Sequence, residues 1–244
     1  MAGGKTQQQE VLMKNVKFNL FSAGFVLAMV FTFSCSSPDD GEGGGGGYTG
    51  SYGSVTYSGK TYKTVKIGTQ TWMAENLNYD PGTGNSACYD NQASNCVTYG
   101  RLYDLATAMG LPPSCNNEGC SSQIQPKHRG ICPAGWHIPS DAEWGVVVTF
   151  AGGESTAGAK LKAKSGWNSD NGASGNGTDE YGFSALPGGL GNSDGSFYRV
   201  GYDGYWWSAS ESAYSWYMNY SHGGLAHWYN LDKSDLFSVR CLQD

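Results

Sequence analysis

The stretch from Cys132 to Trp144, CPAGWHIPSDAEW, constrains this chain more than any other. Ser140 and Glu143 stand three apart, the spacing of a capping box. In that motif the hydroxyl accepts from the first helical turn, and the carboxylate reaches back to the cap's own N–H. Asp141 and Glu143 also sit where the positive end of a helix dipole favours acids. Trp144, Val147, Val148 and Phe150 follow at helical spacing and Gly152-Gly153 closes the run, so a helix is expected after Ser140. Cys132 lies just upstream. Its distant counterpart is Cys241, in the closing stretch FSVRCL (residues 237–242). Period two puts Phe237, Val239 and Cys241 of that stretch on one inward face.

The other cysteines divide between an export signal and a disulfide framework. From Met13, itself an alternative start, Lys14 and Lys17 precede an apolar run from Leu20 to Phe33 and then Ser34-Cys35. The run is shorter than the roughly 20 residues of a membrane span and has the length of a signal h-region. Its end resembles a lipoprotein signal in which Cys35 becomes the acylated N-terminus, with Thr32 where that signal usually has Leu. Residues 1–35 are therefore expected to be a signal peptide and 36–54, rich in glycine, a flexible tether. Residues 55–244 are expected to form one domain. Setting Cys35 aside leaves six cysteines, an even number suited to an exported chain. The expected pairs are Cys88–Cys96 and Cys115–Cys120, which close short loops, and Cys132–Cys241. Zinc is the rival reading, but CxxC and the matching histidine spacings are missing.

Along the domain, residues 55–57, 60–67 and 70–73 read as strands separated by the turn signals Ser58-Gly59 and Gly68-Thr69, with Trp72 and Leu77 in the core. Residues 99–109 are expected to be a helix with Leu102, Leu105, Ala106 and Met109 on one face. A second short helix, 157–163, would carry Lys160, Lys162 and Lys164 on a solvated face. A polar loop follows Trp167. Its Asp170, Asp179 and Glu180 do not follow the calcium-loop order of an EF-hand, so no metal is expected there. The C-terminal third reads as strands at 183–186, 205–209, 215–221, 225–232 and 237–242. Glycine (37 residues) and aromatics (14%) agree with a turn-rich α+β domain.

Several ordered motifs carry a family resemblance: KTYKTVKIGTQTWMAENLNY, CPAGWHIPSDAEW, YGFSALPGG and FSVRC. From about Val55 to the C-terminus the chain resembles the Fibrobacter succinogenes major paralogous domain, found in secreted bacterial proteins of largely unknown function. That family in turn resembles the C-type-lectin-like fold shared with formylglycine-generating-enzyme-type domains. The resemblance implies a disulfide-stapled α+β domain of C-type-lectin-like architecture, and it implies a fold, not an activity.

No catalytic signature is present: there is no His-Glu-x-x-His and no Gly-x-Ser-x-Gly. His128, His137, His222 and His227 show no metal-ligand pattern. The cysteine pair of the formylglycine-generating relatives is not carried over, because all six domain cysteines are accounted for as bridges. Neither an enzyme nor a cofactor is expected. The net charge of −6, without a basic cluster, argues against nucleic acid. The aromatic crowd from Tyr202 to Tyr229 is expected to be mostly core. Within it, Tyr217, His227 and Tyr229 are expected on an exposed contact surface for a glycan or a cell-surface protein. The calcium-lectin signature is only approximated by Trp228-Tyr229-Asn230. The expected protein is a non-catalytic binding or adhesion module of the bacterial cell envelope, at the outer membrane or cell surface through its lipid, or else secreted. The alternatives are a structural envelope lipoprotein and, third, an enzyme of unknown type.

Overall fold

The computed structural model describes residues 47–210, 214–229 and 231–244. The segment expected to be a signal peptide, Cys35, residues 43–46 of the glycine run and Asn230 lie outside these residues.

Strands β1 (Gly53–Tyr57), β2 (Lys60–Ile67) and β3 (Gln70–Met73) open the domain as an antiparallel meander. Ser58 and Gly59 both take positive φ, 49° and 80°, as a primed two-residue hairpin turn requires. β2 buries side chains on both faces because it runs between two cores: Tyr62 packs in one, Val65 and Ile67 in the other. The domain also starts earlier than residue 55. The Tyr48 N–H donates to the Asp179 carbonyl at 2.9 Å, and the Tyr48 ring lies 5.0 Å from that of Tyr52. Residues 47–54, read from sequence as tether, are therefore packed onto the domain.

The expected helix at 99–109 is split. β4 (Ser86–Ala87) is followed by α1 (Ala93–Tyr99), β5 (Leu102–Tyr103) and α2 (Leu105–Met109). Gly100, at φ 79°, ends α1 where a side chain would meet Asn76 and the Leu77 carbonyl. Asp104 then restarts a helix by accepting from the Thr107 N–H at 2.7 Å. Leu102, Leu105, Ala106 and Met109 are all buried, as their spacing suggested, but sheet pairing took the first of them.

After β6 (Trp136–His137) comes α3 (Asp141–Phe150), opened by the complete Ser140–Glu143 capping box. Trp144, Val147 and Val148 are buried. Phe150 is not: it is half exposed and packs edge-on against Tyr181. Next is α4 (Ala157–Leu161), shorter than expected. The polar loop after Trp167 holds a small hairpin, β7 (Ser169–Asp170) and β8 (Ala173–Ser174), turned by Asn171-Gly172.

The C-terminal third supplies β9 (Gly188–Gly191), β10 (Phe197–Val200), β11 (Asp203–Trp207), β12 (Ser215–Asn219), β13 (Leu225–Trp228), β14 (Phe237–Ser238) and β15 (Leu242–Gln243). The strand expected at 183–186 is only a bridge, Lys162 with Ala185. One sheet has the order β1-β2-β3-β15-β6. The larger runs β10-β9-β11-β14-β5-β4, with β12 on β11 and β13 on β12. Residues 237–242 are thus not one strand. They leave the larger sheet at Ser238 and join the smaller one at Leu242, with Val239, Arg240 and Cys241 crossing between.

Trp144 lies at the centre of the second core, its ring 4.8 Å from Trp72, 5.9 Å from Phe183 and 6.0 Å from Trp216. Disulfides join Cys88 to Cys96, Cys115 to Cys120 and Cys132 to Cys241, the pairs expected from the sequence. The architecture is an α+β domain, mostly strand with short helices, stapled by three disulfides.

Candidate functional site

Strands β11, β12 and β13 carry most of the C-terminal aromatics, and their register decides which rings share a face. Tyr205 pairs with Tyr217 and Tyr217 with Ala226, while Trp206 pairs with Trp216 and Trp216 with His227. Directly opposed residues point to the same side of an antiparallel sheet. Tyr205, Tyr217 and Trp228 therefore occupy one face, with Tyr217 half-buried 6.0 Å from Tyr205 and 6.2 Å from Trp228. His227 lies on the other face, against Trp216 at 3.8 Å between ring centres. This corrects the grouping of Tyr217 with His227 and Tyr229. Alternation within each strand holds, but the register places Tyr217 opposite the other two.

Among the described residues β13 pairs as a strand only with β12, and at its start the Leu225 N–H donates to the Glu154 carbonyl at 2.8 Å. Tyr229, just beyond it, is 60% exposed, the most exposed of the large aromatic side chains described. Its ring stands edge-on to Tyr214, 6.1 Å away. His227 ties this edge to helix α3 and the turn after it. Its Nδ1 lies 2.9 Å from Asp141 Oδ1 and its Nε2 lies 3.5 Å from Glu154 Oε1. The Asp141 contact is near enough for an ion pair but is not aligned as a hydrogen bond, so it gains strength only when the imidazole is charged. Trp206, Trp207 and Trp216 are fully buried, the core role expected for most of these rings.

Two polar groups have functions the sequence did not suggest. His137, buried on β6, has Nε2 at 3.0 Å from Glu143 Oε1 and Nδ1 at 2.8 Å from Asp244 Oδ1. The cap carboxylate thus has a second task. Burial by itself would raise the Glu143 carboxyl, but hydrogen bonds from His137 and Ser140 outweigh it and hold the group at about 2. Lys162, expected on a solvated face, is buried. Its ammonium donates to the carbonyls of Asn219 (2.5 Å), His222 (2.8 Å) and Gly175 (3.4 Å) and lies over the Trp167 ring. Burial lowers it to about 8, partly offset by Asp203. Lysine in a three-residue alternation reads as surface; nothing local in the sequence marks the three carbonyls it serves.

Asp179, weighed above as a calcium ligand, accepts from the Ser184 N–H and hydroxyl at 2.7 and 2.6 Å and so closes its own turn. Among the described residues no three His, Cys, Asp or Glu side chains are grouped to hold a metal ion, and no helix is long and apolar enough to cross a membrane.

A family model, described as the Fibrobacter succinogenes major domain, matches residues 65–243. No curated protein and no solved structure matches the chain.

Proposed function

The chain belongs to the Fibrobacter succinogenes major domain family, and on that premise we propose that it is a non-catalytic binding or adhesion module of the cell envelope with C-type-lectin-like architecture. The observation that carries this reading is the exposed ring of Tyr229 just beyond the edge strand of the larger sheet, with Tyr214 and His227 beside it. An aromatic face with a polar tip suits stacking on a sugar ring or packing against a partner protein. Tyr217 contributes from beneath, by packing against Trp228 on the β13 strand that carries His227. Acylation at Cys35 would hold the module at a membrane, and two or three acyl chains hold far better than one. A single stacking contact is worth only about 0.5–1.5 kcal/mol beyond its buried area. Many tethered copies on one cell would then supply strength through avidity.

The test presents cells carrying the full-length chain to immobilised polysaccharides and cell-surface extracts, with and without calcium. Retention that disappears in Tyr229→Ala, with the protein still folded and displayed, supports the reading. Retention abolished by chelator alone would point instead to a calcium-dependent lectin. No retention on any surface would favour a structural envelope lipoprotein.

A further inference from the structure

Arg240, in the crossing between β14 and β15, is fully buried, with 1% of its surface exposed. Its Nε and Nη2 donate to Asn76 Oδ1 at 3.1 and 2.8 Å, and its Nη1 donates to the Phe183 carbonyl. The Phe183 and Trp206 rings lie 4.2 and 5.9 Å from the guanidinium carbon. Every one of these partners is neutral. Burial disfavours the charge, and the carboxylates whose fields oppose that effect are Asp179 and Glu75. Both are engaged elsewhere: Asp179 with Ser184, and Glu75 with the Lys63 N–H at 2.6 Å and the Lys60 ammonium at 3.6 Å. A buried cation with no carboxylate against it is costly. Three of its five N–H groups are donated in this network, all to neutral oxygens.

Arg240 also lines a cleft of about 210 Å³. Tyr52, Lys63 and Val97, all exposed, stand along the same cleft. Lys60, Lys63 and Arg240 face a single acid there, Glu75, although the chain as a whole carries −6. That local reversal draws anions in. The volume is below the roughly 300–1,000 Å³ of sites that enclose a drug-sized ligand, so it suits one unit of a larger molecule. We propose that this cleft binds a carboxylate-bearing sugar, a uronate. Its carboxylate would sit against Lys60 and Lys63 in the field of the buried Arg240 charge, and its ring face would lie against Tyr52. A carboxylate supplies the counter-charge that the buried Arg240 lacks. An aromatic wall favours a ring with an apolar face over a bare anion. The site is separate from the Tyr229 edge and stands or falls independently of it.

The test is calorimetric titration of the full-length chain with glucuronate, with glucose and acetate as comparators. Glucuronate should bind at least about tenfold more tightly than either, and more weakly at high salt. Lys63→Ala and Tyr52→Ala should each weaken it, Lys63→Ala by about tenfold. Tyr229→Ala should leave it unchanged. Both rim side chains, Tyr52 and Lys63, are exposed, so these two variants should keep the fold. No binding of glucuronate, equal binding of glucose or of acetate, or undiminished affinity in both rim variants would overturn the proposal.

Discussion

Arg240 and Asn76, 164 residues apart, meet through two hydrogen bonds to one atom, Asn76 Oδ1. The Trp206 indole N–H donates to the same oxygen at 2.8 Å, and Asn76 Nδ2 donates to the Tyr99 carbonyl and the Ser238 hydroxyl. One amide thus joins the segment after β3, the end of α1, β11 and the crossing between the two sheets.

Asn76→Leu should therefore be severely destabilising, by about 3–5 kcal/mol, because it leaves a buried cation without its acceptor. Asn76→Asp keeps the acceptor and adds a counter-charge, so it should cost less than Asn76→Leu despite losing the Nδ2 donors. Chemical denaturation of the two variants checks the order. An Asn76→Leu variant as stable as the parent would show that the aromatic faces and the Phe183 carbonyl suffice to hold Arg240.

The three disulfides should differ in worth. Cys132–Cys241 spans 109 residues and Cys115–Cys120 only 5. In the chain-entropy model these correspond to about 4–5 and about 2 kcal/mol respectively. Replacing Cys132 and Cys241 together by alanine should lower the melting temperature much more than replacing Cys115 and Cys120. Equal losses would place the contribution in local packing instead of in loop closure.

Stability should also depend on pH through His137. Burial pushes its pKa down, but hydrogen bonds to Glu143 and Asp244, and their charges, carry it above the ordinary 6.5. A raised folded value means that this stabilisation is complete below about pH 6.5 and fades as pH rises through the folded value. Glu143, held at about 2, contributes above its ordinary 4.5 and loses that contribution as pH falls toward 2. Thermal melts from pH 5 to 9 should thus show a decline on the alkaline side that is reduced in His137→Gln. An unchanged decline in that variant would assign it to other groups.

Much of this was legible in the sequence where the signal is local. The capping box needs only Ser140 and Glu143 three residues apart, and it forms as written. The meander of β1 to β3 follows from apolar runs and two turn signals, and Cys88–Cys96 and Cys115–Cys120 from short spacing. Errors came where a local pattern had two outcomes. Leu102, Leu105, Ala106 and Met109 fit a helical face, yet Leu102 and Tyr103 found strand partners in β4 and β14, and a glycine and an Asp cap divided the segment. Lys162 looks like its neighbours until α4 is docked against the carbonyls of Gly175, Asn219 and His222.

By itself the sequence determined the Ser140 cap, the hairpin turns of the meander, and which faces of β12 and β13 alternate, because each depends on neighbours a few residues apart. Only the tertiary structure decided how those faces combine. The register of β12 against β13 put His227 behind Trp216 and Tyr217 beneath Trp228, although each strand alternates as read. Likewise only the crossing from β14 to β15 brought Arg240 to Asn76 and to the cleft. Side-chain period is a property of one strand, whereas register and crossing are set by where two distant segments bury the most surface together, and that is not written in either segment alone.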